Sequence, residues 1–85
     1  MSIDKTEILK NICYTELVYE RINKKLKTDY SKSEIETILF NIIKETADAS
    51  VQKTGKNFYV TNTIHKIRIT INSNTYRVIT VDKTI

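Results

Sequence analysis

The sequence predicts an α+β domain in which two or three N-terminal helices precede a four-stranded antiparallel β-meander and pack on one of its faces. Three observations lead there. Apolar residues recur at helical spacing through residues 1–50 and alternate with polar ones from Val51 onward. The chain's one glycine and its Asn/Ser/Thr clusters fall between the alternating segments, where turns belong. Charge divides at the same boundary: residues 51–85 carry Lys53, Lys56, Lys66, Arg68, Arg77 and Lys83 against Asp82 alone, net +5, whereas residues 1–50 are net −1.

A first helical stretch, Asp4 to Asn11, places Ile8 and Ile12 four apart with Leu9 beside them. A second runs from about Thr15 to Lys27, with Val18, Tyr19, Ile22 and Leu26 on one side. Glu20 and Lys24 make a favourable four-residue pair on the other side. One helix or two is left open here, since Thr15 can serve as a fresh N-cap with a bend near Cys13-Tyr14. The third helix is the best marked. Ser31/Glu34 and Ser33/Glu36 are overlapping capping boxes, of which one can be used. Ile35, Ile38, Leu39, Ile42 and Ile43 then form a continuous stripe that fades near Thr46–Ala49.

Thr54-Gly55 is read as a two-residue hairpin turn, with Gly55 supplying a positive φ and Lys53 facing Lys56. Thr61-Asn62-Thr63 makes the next turn, and Asn72-Ser73-Asn74-Thr75 the last. For the final hairpin, pairing Ile71 with Tyr76, Ile69 with Val78 and Ile67 with Thr80 puts all three pairs on the helix-facing side. The opposite face then carries Lys66, Arg68, Thr70, Arg77, Ile79 and Val81, with Arg68 and Arg77 as diagonal neighbours able to share one anion.

Eighty-five residues make one domain, 1–85, with a helical half and a basic sheet half. A chain of this size buries about 60–65% of its unfolded surface, so its core is small. Fourteen isoleucines and seven aromatics suffice to build that core. Cys13 is the one cysteine, which excludes an internal disulfide and fits a reducing, cytoplasmic compartment. Met1-Ser2-Ile3-Asp4 lacks the basic and apolar regions of a secretory signal. Apolar runs reach only two to three residues, so no membrane partner is expected.

His65, the one histidine, is the candidate general acid/base; its plain alternative is a turn residue. Lys53, Lys56, Lys66, Arg68 and Arg77 form the candidate phosphate-binding set, against the alternative of a solvated sheet face. Tyr59 is the stacking candidate, while Tyr76 belongs to the core in the chosen register. Cys13 reads as a buried or half-buried small apolar residue. One His and one Cys 52 positions apart make no metal cluster, and no cofactor motif is present.

Ile12-Cys13-Tyr14-Thr15-Glu16-Leu17, Tyr19-Glu20-Arg21-Ile22, Gly55-Lys56-Asn57-Phe58-Tyr59-Val60, Arg68-Ile69-Thr70-Ile71-Asn72-Ser73 and Val78-Ile79-Thr80 resemble the motifs of an uncharacterised family of small stand-alone bacterial domains. The resemblance spans nearly the whole chain and implies no activity. Many members resembling that family read Ile-Thr-Ala-His-Lys at the end, where this chain has Asp82 at the His position. A looser resemblance in element order is to the small toxin-like ribonucleases related to barnase, the E5 and D colicins and RelE. It implies metal-free RNA cleavage on the sheet.

Two functions follow as expectations. In one, the basic face binds nucleic acid, RNA above all, either as a metal-independent ribonuclease or as a binding domain. In the other, the chain is a non-enzymatic inhibitor, phage- or mobile-element-encoded, that covers an acidic protein surface, for example of a nuclease defence system. A homodimer through an edge strand or helix face stays open.

Overall fold

The computed structural model describes residues 5–84. Three helices, α1 (Lys5–Asn11), α2 (Glu16–Leu26) and α3 (Lys32–Glu45), precede a short 3-10 turn and strands β1 (Val51–Thr54), β2 (Asn57–Asn62), β3 (Ile67–Asn72) and β4 (Val78–Lys83). The strands form one antiparallel sheet in sequence order, so the α+β meander predicted from the sequence is present. Asp4, assigned to the first helix, lies outside the described residues.

The open question of one helix or two resolves to two, through a contact remote in sequence. The Cys13 N–H donates to the Tyr76 carbonyl at 2.9 Å, and the Val78 N–H donates to the Cys13 carbonyl at 2.9 Å. This bridge takes the Cys13 backbone out of the helical ladder and extends the sheet past β4. It also leaves the Cys13 side chain exposed, against the expectation of a buried or half-buried thiol, with Sγ 3.4 Å from the Thr75 carbonyl. Thr15 does occupy the N-cap position of α2, but its hydroxyl makes no capping bond.

Lys27, with φ 57°, ends α2 in the left-handed region, and its N–H donates to the Asn23 carbonyl. In α3, Ser31 and Glu34 form the reciprocal capping box, the first of the two available. Ile35, Leu39, Ile42 and Ile43 of α3 join Ile8 of α1 and Val18 and Ile22 of α2 in one core with Val51, Val60, Ile69, Ile71, Val78 and Val81 of the sheet. At four-residue spacing, α2 also lies along β4: the Arg21 guanidinium donates to the Ile79 carbonyl at 3.3 Å, and Lys25 pairs with Asp82 at 3.1 Å. The edge of β4 is thereby covered.

The sheet register corrects the sequence reading at three places. Thr61 and Asn62, expected in the second turn, pair with Arg68 and Ile67 within β2, and the turn is 63–66. The first turn is Gly55-Lys56, with Thr54 opposite Asn57 and Lys53 opposite Phe58, so Lys53 and Lys56 do not face each other. That phase sets buried Val51 against buried Val60. In the last hairpin, Ile71 pairs with Val78, Thr70 with Thr80, Ile69 with Val81 and Arg68 with Asp82. Tyr76 and Arg77 are drawn into the connection, whose shape Asn72 dictates. Its Oδ1 accepts the N–H groups of Asn74 at 2.8 Å and Thr75 at 2.9 Å, and its carbonyl accepts that of Tyr76 at 2.9 Å. Tyr76 takes φ 59°, and its ring lies 6.0 Å from that of Phe58, packed on the core as expected. A bulge at Ile79 then changes the strand's phase, so Val78 and Val81, three apart, both point inward. A strict period of two had placed Val81 on the outer face.

Candidate functional site

The corrected register separates the predicted basic patch. Arg68 stands on the face turned away from the helices, level with Thr61 and Asp82. Arg77 lies level with Asn72, four residues along β3 from Arg68, or about 13 Å at strand spacing. The two are not diagonal neighbours. Lys53 shares the parity of Val51 and Phe58 at the exposed edge, and Lys56 lies in the β1–β2 turn. Lys66 lies at the other end of the sheet, in the β2–β3 turn, with φ 55°. Tyr59 is on the outer face between Gln52 and Thr70, half-buried. That face is polar and close to neutral, because Asp82 accompanies Arg68 on it.

His65 has a more specific setting. Its Nε2 is 3.2 Å from Glu45 Oε2, at a cleft of about 470 Å³ walled by Leu26, Ile38, Ile42 and Ile67 and edged by Thr28, Tyr30, Asn41, Glu45, His65 and Lys83. Each edge is fixed by a local device. Ile38, Asn41, Ile42 and Glu45 follow at three- and four-residue steps, so one flank of α3 faces the cleft. Asn23 Oδ1 accepts from the Thr28 hydroxyl at 2.8 Å and the Tyr30 N–H at 3.0 Å, while its Nδ2 donates to the Tyr30 carbonyl at 2.9 Å. This folds the α2–α3 loop onto the rim.

The His65 turn is held by Asn62. Asn62 is buried, and its Oδ1 accepts the His65 backbone N–H at 2.8 Å. Its Nδ2 donates to Thr46 Oγ1 at 3.0 Å and to the Ile42 carbonyl at 3.4 Å. The Thr84 N–H donates to the Lys66 carbonyl at 2.9 Å, which sets the end of β4, and Lys83 with it, beside the turn.

The Glu45 carboxylate favours the tautomer with the proton on Nε2, since it can only accept. Nδ1 then carries the lone pair and is the atom free to take a proton. Lys83 supplies a cation within the cleft, while Lys27 and Lys66 neighbour lining residues in sequence, as does Asp29. Sequence reasoning found His65 by residue type and counted Tyr30 among the tyrosines able to stack on a base, but missed Asn41, Glu45 and Lys83 as its neighbours; the five come from four separate segments. The one available signal was Asn41 and Glu45, polar at four-residue spacing beside the apolar stripe of α3.

A second polar cluster joins α2 to α3. Tyr19 donates to Glu36 at 2.7 Å, its ring stacks on that of Tyr14 with centroids 5.5 Å apart, and Lys32 pairs with Glu16 at 2.6 Å. Partial removal from water, then the bond to Glu36, pushes the Tyr19 phenol up to about 12. Burial raises Tyr14 further. Among the described residues, no three side chains of metal-ligating type gather, and no helix is long and apolar enough to cross a membrane.

Fold and cleft define a small α+β domain with a helix layer over a four-stranded meander and a histidine–carboxylate pair at the sheet's end. The sequence pattern of the family of proteins of unknown function DUF3781 matches residues 6–82, and the chain belongs to that family. The resemblance to an uncharacterised family of small domains is thus confirmed. No curated protein and no solved structure matches the chain significantly.

Proposed function

We propose that the chain is a small RNA-directed domain that takes a nucleotide of single-stranded RNA into the His65 cleft. The observation that carries this is the 3.2 Å His65–Glu45 pair at a cleft also edged by Lys83. A volume of about 470 Å³ suits one nucleotide. The isoleucine and leucine walls cover the faces of a base, and Thr28, Tyr30 and Asn41 offer hydrogen bonds to its edge. Lys83 and Lys66 attract the phosphates.

The same arrangement supports cleavage without a metal. His65 Nδ1 takes the 2′-hydroxyl proton, and Glu45 steadies the imidazolium that forms. The 2′-oxygen bonds to phosphorus as the bond to the 5′-oxygen breaks. That oxygen takes a proton from solvent, and a 2′,3′-cyclic phosphate remains. Lys83 offsets the charge that develops on the phosphoryl oxygens.

The test is titration of a fluorescent mixed-sequence RNA decamer, with the product ends read in chelator. With about three cationic contacts, affinity falls roughly 20-fold between 50 and 200 mM salt. His65→Ala abolishes cyclic-phosphate formation while leaving weaker binding. RNA that neither binds at low salt nor is cut overturns the proposal, while binding without cleavage retains the RNA-directed reading and removes the catalytic one.

A further inference from the structure

A second site lies at the opposite end of β4. Thr15, Leu17, Val18 and Arg21 at the start of α2 and Arg77, Val78 and Ile79 at the start of β4 enclose a groove of about 240 Å³. Three of its properties point the same way. Leu17 is 75% exposed, a large aliphatic side chain facing water beside half-buried Ile79. Arg21 and Arg77 supply the groove's formal charges, and no carboxylate lines it. Neither guanidinium forms a salt bridge among the described residues; Arg21 donates to the Ile79 carbonyl at 3.3 Å, which leaves most of its N–H groups unspent. Glu16, the acidic residue nearest Leu17 in sequence, is engaged by Lys32 of α3.

We propose that this groove docks an acidic protein segment, one that sets an aliphatic or aromatic side chain on Leu17 and Ile79 and carboxylates on Arg21 and Arg77. Two guanidiniums with free forks match carboxylates bidentately. At about 240 Å³ the groove is sized for a single side chain, whereas the His65 cleft offers about 470 Å³ for a nucleotide. The groove has no aromatic side chain on which a base could stack, and an exposed leucine gains nothing from a phosphate backbone. The chain's net charge of +4 favours encounter with an acidic partner. Single-stranded RNA in the His65 cleft and an acidic segment in this groove use different residues, so neither site depends on the other.

The experiment is selection of a displayed random-decapeptide library on the wild-type chain, followed by binding of the enriched peptides to Leu17→Asp, Arg77→Glu and His65→Ala. The high exposure of Leu17 keeps its substitution compatible with folding, which circular dichroism confirms for each variant. The expected peptides combine several Asp or Glu with one or two Leu, Ile, Phe or Met. They lose at least tenfold in affinity on Leu17→Asp and on Arg77→Glu, and bind His65→Ala as they bind wild type. Absence of any enriched peptide, peptides without acidic character, or equal binding to the two groove variants overturns the proposal. An RNA decamer whose affinity falls with Leu17→Asp and Arg77→Glu but not with His65→Ala also overturns it, and gives the groove to nucleic acid.

Discussion

Asn62 ties His65 to the end of α3: its Oδ1 accepts the His65 backbone N–H at 2.8 Å, while its Nδ2 donates to Thr46 at 3.0 Å. One buried amide thus fixes the spacing between the turn that carries the imidazole and the helix end that carries Glu45. Asn62→Ala leaves the Thr46 hydroxyl and the His65 N–H without this partner. It destabilises the fold by about 2 kcal/mol in urea unfolding. As a positioning residue, its loss also weakens RNA binding where His65 itself is intact, and a wild-type RNA affinity in the folded variant contradicts that role.

The left-handed residue after α2 gives a prediction of opposite sign. Lys27, at φ 57° and ψ 49°, has a conformation that costs an L-residue with a Cβ about 1–2 kcal/mol relative to glycine. Lys27→Gly relieves this at some cost in unfolded-state entropy. A net gain of about 0.5 kcal/mol is expected in the denaturation midpoint, and a loss of stability contradicts it.

Capping of α3 is pH-dependent. The backbone N–H of Ser31 donates to Glu34 Oε1 at 3.0 Å, and this bond, followed by the contact with the Ser31 side chain, holds the Glu34 carboxyl below its usual range. A depressed folded-state pKa means that the contribution is complete above the ordinary glutamate range and is lost as pH falls through the folded value. Glu34→Gln flattens that part of the acid-unfolding profile. Ser31→Ala costs about 1 kcal/mol at neutral pH. An unchanged acid limb in Glu34→Gln contradicts the assignment.

At the alkaline end, Tyr19 works in the other direction. Its folded phenol ionises near 12 against an ordinary value of 10.0, so its contribution is complete below 10 and lost as pH rises toward 12. In a phenolate-absorbance titration, the Tyr19 and Tyr14 steps are expected above the ordinary value of 10.0. Glu36→Gln lowers the Tyr19 midpoint, because it removes the charged acceptor 2.7 Å away. An unmoved midpoint contradicts the coupling.

These residues also mark how far the sequence could be read. Ser31/Glu34 and the stripe from Ile35 to Ile43 are local signals, and the helix formed where they pointed. The order of strands was legible because turn residues separate alternating segments. The final register was not. Asn72 lengthens the turn with its own side chain, Cys13 captures Tyr76 and Val78 from far away in sequence, and the bulge at Ile79 lets Val78 and Val81 share a face. A period-two reading sees none of these, and the Arg68–Arg77 patch fell with it. His65 was visible as a residue type, whereas Glu45 becomes its partner only through the Asn62–Thr46 contact.

The central claim is the location of the RNA site, and two-dimensional amide NMR tests it directly. Uniformly labelled chain is titrated with a single-stranded RNA hexamer at low salt. Shift changes are expected at Leu26, Thr28, Tyr30, Asn41, Glu45, His65, Lys66 and Lys83, reduced in His65→Ala. Changes centred instead on Tyr59, Thr61, Arg68 and Thr70 of the outer sheet face, or no changes at all, would contradict the account.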